Sequence, residues 1–93
     1  MAAFADASNT AVLSCGHVIY HAKPILYVAH DADDGGWQFL CGASSHNGSD
    51  ICQLALHEIL EMDDTLLDIS DLHTGFVAER KKKGSDWIKR FET

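Results

Sequence analysis

Cys41, His46, Cys52 and His57 place four metal-capable side chains within seventeen residues, spaced Cys-x4-His-x5-Cys-x4-His. Zinc takes thiolate and imidazole ligands in a tetrahedron at about 2.0–2.3 Å. Structural zinc sites bring their ligands as tight pairs such as C-x2–4-C, whereas here the short gaps separate unlike residues. Cys41 and Cys52 also lie inside strand-like apolar runs. The spacing therefore predicts buried cysteines and surface histidines, with no bound metal and no cofactor.

Other constellations are incomplete in ways that chemistry makes decisive. His57-Glu58-Ile59-Leu60-Glu61 begins like the helical zinc-protease signature, but Glu61 stands where a second histidine is needed. In Cys15-Gly16-His17 the histidine is two residues from the thiol, which on a strand is the same face. A cysteine nucleophile also needs an electropositive setting, and the segment supplies none. No lysine and no helix start follow Gly35-Gly36, so the pair is not a phosphate cradle. Asp31-Ala32-Asp33-Asp34-Gly35 has the acidic start of a calcium loop, yet the later ligand positions fall on Trp37 and Phe39. Both are turn chemistry, and no catalytic residue is assigned.

The elements that must position these groups follow from periodicity. Thr10-Ala11-Val12-Leu13-Ser14-Cys15 is a strand pattern after an alanine-rich start over residues 1–9 that is expected to fray. Val18-Ile19-Tyr20 fits a short strand or a helical turn, and Pro24 sets an extended entry to Ile25-Leu26-Tyr27-Val28-Ala29. The acidic, glycine-bearing turn then leads into Trp37-Gln38-Phe39-Leu40-Cys41-Gly42, whose alternation puts both aromatic rings on one face. Residues 43–50 are small and polar, a surface loop. Residues 51–62 suggest a short strand running into a helix, and Asp63 and Asp64 can start a second short helix by accepting first-turn amides. Gly75-Phe76-Val77-Ala78-Glu79-Arg80 is a strand pattern. Ser85 followed by Trp87, Ile88 and Phe91 at i, i+1, i+4 suggests a terminal helix.

Ninety-three residues with 46% hydrophobic content suit one small globular domain, 1–93. No segment approaches the roughly 18 apolar residues of a membrane span, and residues 1–6 lack the features of a signal peptide. Three cysteines, an odd number, fit reduced thiols and a cytoplasmic setting. The net charge of −7 is segregated: residues 80–93 hold six of the seven bases against two acids, and residues 1–79 hold Lys23 against twelve acids, a charge of −11. Such a body disfavours nucleic acid and membrane and favours a basic protein partner. The run Arg80-Lys81-Lys82-Lys83 is expected to be a solvated turn.

Three segments, Asp34-Gly35-Gly36-Trp37-Gln38-Phe39-Leu40-Cys41-Gly42, Asp64-Thr65-Leu66-Leu67 and Gly75-Phe76-Val77-Ala78-Glu79-Arg80, resemble in order and spacing a family of small bacterial immunity proteins of polymorphic toxin systems, immunity protein thirty-three. The resemblance covers roughly residues 11–90. The chain departs from the family pattern at Gly35, where the family has serine, and at Ala43-Ser44-Ser45, where it has acidic residues. The resemblance implies an α+β protein that acts by contact with another protein, a toxin, and is not an enzyme.

Together these readings give an α+β fold with a small, mainly antiparallel sheet of four or five strands and a few short helices. Trp37, Phe39, Gly36, Gly42, Gly75 and Arg80 are assigned structural work. Asp31, Asp33 and Asp34 in the turn, with Ser44, Ser45 and His46 in the loop, are the candidate binding residues. The turn acids are expected to contribute little to the core. The alternative is a small-molecule or metal-binding domain, or a minor enzyme built on Cys and His.

Overall fold

Among the described residues, short apolar runs broken by turns fold into six strands, two α-helices and one 3-10 helix. The structure is a computed structural model and describes Phe4, residues 6–42 and residues 51–91. In chain order the elements are β1 (Ala11–Cys15), α1 (Gly16–His21), β2 (Tyr27–His30), β3 (Trp37–Leu40), β4 (Ile51–Ala55), α2 (Leu56–Met62), the 3-10 helix Asp64–Ile69, β5 (Phe76–Glu79) and β6 (Ile88–Phe91). All six strands form one sheet in the order β4-β1-β3-β2-β5-β6. β1 runs parallel to β3, and every other neighbouring pair is antiparallel.

Residues paired across a sheet share a face, so register explains the core. Ser14 lies opposite Phe39, Phe39 opposite Val28, and Val28 opposite Ala78, a row across four strands in which every side chain is fully buried. Leu56 and Ile59 of α2, with Leu66 and Ile69 of the 3-10 helix, join the same apolar cluster. Ser14 is the polar member of the row, and its hydroxyl donates to the Phe39 carbonyl at 2.6 Å, which removes the cost of burying it.

The α+β class is as expected, but the sheet has six strands where four or five were expected. The difference is β6. Trp87, Ile88 and Phe91 suggested a helix, yet residues 88–91 pair antiparallel with β5, from Phe76 opposite Phe91 to Glu79 opposite Ile88. A helix that short gains too few hydrogen bonds to offset nucleation, whereas the outer edge of β5 offers a ready ladder. Residues 51–62 do run from strand into helix, and residues 18–20 are helical within α1. Among the described residues no helix is long and apolar enough to cross a membrane.

Candidate functional site

The acidic turn is tightly built. Asp31 N–H donates to the Gly36 carbonyl at 2.8 Å and Gly35 N–H to the Asp31 carbonyl at 3.0 Å. Asp34 Oδ1 accepts from Gly36 N–H at 2.8 Å, and Asp31 Oδ2 accepts from Gln38 Nε2 at 3.0 Å. Two of the three candidate acids thus hold the turn itself, although none of the three belongs to the apolar core. Asp33 is exposed and, with Asp31, borders a shallow groove of about 340 Å³ floored by Ala29, Phe76 and Val77. Ser44, Ser45 and His46 lie outside the described residues.

The groove's inner wall is His30. Its Nδ1 lies 2.7 Å from the Leu72 carbonyl and its Nε2 3.1 Å from the Gly35 carbonyl, and the ring stacks on Trp37 at 3.8 Å between centroids. Trp37 is 2% exposed. Phe4 packs edge-on against it at 4.9 Å, and its Nε1–H donates to Asp6 Oδ1 at 3.1 Å, so part of the N-terminal segment is drawn onto the aromatic strand. Gly75 needs to be glycine: its φ is +84°, and a Cβ would sit 3.1 Å from the Phe91 ring. Gly36 receives the Asp34 carboxylate, and Gly42 leaves β3 with φ +84°.

Arg80 is buried and joins three segments. Nε donates to the Ile25 carbonyl at 3.0 Å, Nη1 to Thr65 Oγ1 at 2.9 Å, and Nη2 to Asp63 Oδ2 at 2.7 Å, while the Trp87 ring lies 4.2 Å from Cζ. Burial pushes the Asp63 carboxyl up, but hydrogen bonds from Thr65 and Arg80 and the Arg80 charge outweigh it and hold Asp63 below the usual carboxylate range. Asp63 also caps the 3-10 helix by accepting from Thr65 N–H at 3.0 Å. This node is structural. Of the run expected to be a solvated turn, Lys81, Lys82 and Lys83 are exposed, but Arg80 is not, because its guanidinium is taken up by Asp63, Thr65 and the Ile25 carbonyl.

A larger groove of about 590 Å³ lies among α1, β4 and α2. Ile19 and Leu54 give it apolar walls, Tyr20 and Met62 stand 75% and 42% exposed along it, and Glu58 and Glu61 lie on its rim. Glu58 is fixed by accepting from Ala55 N–H at 2.8 Å, and Glu61 pairs with His57 Nδ1 at 2.9 Å. Sequence reasoning did not single out Tyr20 or Met62. Exposure along a helix depends on what each face meets, which a local pattern does not carry.

Among the described residues, one group of three metal-capable side chains comes together: Cys15, His17 and Cys41, with donor atoms all within 4.8 Å of one another. Cys15 is fully buried, and His17 and Cys41 are half-buried. Cys41 therefore keeps company with Cys15, while Cys52 lies opposite Ser14 in the sheet, His57 pairs with Glu61, and His46 lies outside the described residues. His17 reaches Cys15 from the first turn of α1 instead of from a shared strand face. The cause is the parallel pairing of β1 with β3, which sets the C-terminal ends of both strands side by side. Sequence carries no sign of that pairing between non-consecutive strands.

Comparison with protein-family models, curated proteins and solved structures found no match. The resemblance to the immunity family stays an expectation drawn from the residues themselves.

Proposed function

We propose that the protein works by binding another protein, as an immunity-like or related regulatory factor without catalysis of its own. The partner presents a basic, partly apolar segment to the groove among α1, β4 and α2. The observation that carries this reading is the exposure of Tyr20 and Met62 in a groove rimmed by Glu58 and Glu61. Tyr and Met are enriched at the centres of protein interfaces, and the carboxylates favour a cationic rim on the partner. The −11 charge of residues 1–79 supports the same sign of partner, by steering it toward the protein. The family resemblance supports the class of function.

The test is capture from the native host with wild-type protein, Tyr20→Ala and Met62→Lys at low and high salt, followed by co-expression with any toxin encoded beside its gene. The expected result is a basic partner retained by wild type, released faster at high salt, and weakened by both variants. It should be a toxin whose effect wild type suppresses. Failure to retain a partner at either salt, together with failure to protect, would remove the reading.

A further inference from the structure

We propose that Cys15, His17 and Cys41 form the protein's share of a zinc(II) site. Two sulfurs and an imidazole nitrogen are the ligand types zinc prefers, and the donor atoms lie within 4.8 Å of one another. Around a tetrahedral zinc with bonds of about 2.0–2.3 Å, neighbouring donors sit roughly 3.5–4 Å apart. Closing onto an ion thus requires the donor atoms to approach one another by about an ångström.

Charge selects the ion. As each zinc–sulfur bond forms, a thiol proton leaves to solvent, and two thiolates cancel the +2 charge of zinc. The resulting neutral complex suits a site where Cys15 is fully buried. A monovalent soft cation on the same ligands would leave a net negative charge in that setting. His17 and Cys41 are half-buried, and three protein ligands leave one position of a zinc tetrahedron for a further donor.

The position gives the ion a mechanical role. Cys15 ends β1, His17 lies in the first turn of α1, and Cys41 follows the end of β3. α1 has six residues, too few to hold a helix by its own hydrogen bonds. A zinc bridging its first turn to two strand ends would fasten it, and Tyr20 sits one turn further along the same helix. The spacing that disfavours a metal is that of Cys41, His46, Cys52 and His57, and this donor set uses only one of those residues.

The experiment titrates reduced full-length protein with zinc and with cobalt(II), in wild type, Cys41→Ser, His17→Gln and Cys52→Ser. Circular dichroism monitors the fold throughout. Wild type should take up one zinc per chain, show a thiolate-to-cobalt charge-transfer band, and melt at a temperature that rises with free zinc. Cys41→Ser and His17→Gln should bind more weakly by at least the roughly 10–100-fold that losing even a supporting hydrogen bond of a ligand costs. Cys52→Ser should match wild type. Because a ligand variant may fail to fold, alkylation of the wild-type protein gives a second readout: zinc should slow modification of Cys41 and leave that of Cys52 unchanged. Substoichiometric uptake, uptake that survives Cys41→Ser, or loss in Cys52→Ser would each overturn the proposal.

Discussion

Arg80 and Trp37 do most to tie distant segments together, and each yields a prediction. Replacing Asp63 with asparagine leaves the Arg80 guanidinium buried without its counter-charge, so Asp63→Asn should cost about 3–5 kcal/mol in urea unfolding. The pH dependence follows from the sign of the Asp63 shift. A carboxyl held below its unfolded value of about 3.9 contributes stability that is fully present above that pH and is lost as pH falls through the folded value. Stability should therefore decline below about pH 4 in wild type, and that decline should be shallower in Asp63→Asn. Trp37→Ala removes a buried ring packed by Phe4, His30 and Phe39 and should cost about 3–5 kcal/mol. A melting temperature that barely moves would show that the ring is not held as described. Alternation marked Trp37 and Phe39 in the sequence because a period of two is a local property. The partners of Arg80, from Ile25 to Trp87, were not legible, since they converge only when β5 docks beside β2 and the 3-10 helix lies over the sheet.

At the scale of elements, α1 is the least secure. It ends on Ala22 with φ 53° and ψ 31°, a left-handed conformation that costs a residue with a Cβ roughly 1–2 kcal/mol. Ala22→Gly relieves that strain at some cost in unfolded-chain entropy, and should raise stability by about 0.5–1 kcal/mol in denaturant titration. An unchanged or lower midpoint would place the strain elsewhere. Most elements were legible from local patterns: β1, β2, β3, the strand-to-helix run of residues 51–62, the capped turn after Asp63, and β5 all carry their own periodicity or punctuation. β6 was not, because residues 87–91 suit a helix or a strand about equally and the open edge of β5 decides. The meeting of Cys15 with Cys41 was equally hidden, since it depends on a parallel pairing between strands separated by α1 and β2.

Over the whole molecule, the segregation of charge along the chain is partly undone by folding. Arg80 pairs with Asp63, Lys89 with Asp71 at 3.0 Å, and Arg90 with Glu79, so half of the basic tail is matched to acids of the body. Exposed carboxylates remain at Asp33, Glu58, Glu61, Asp64 and Asp68. The acidic surface was visible in the composition, but its placement beside an apolar groove was not, because α1 and α2 meet across β4 only in the fold. The proposed role of this groove is to receive a basic, partly apolar protein segment. It is tested most directly by amide chemical-shift mapping of the protein against a peptide of alternating lysine and leucine, with a glutamate and leucine peptide as control. Binding in the groove should give shifts confined to Ile19, Tyr20, Leu54 and Met62 and their neighbours with the lysine peptide, weakening as salt rises and lost in Met62→Lys. Shifts spread over the whole surface, or equal responses to the two peptides, would contradict it.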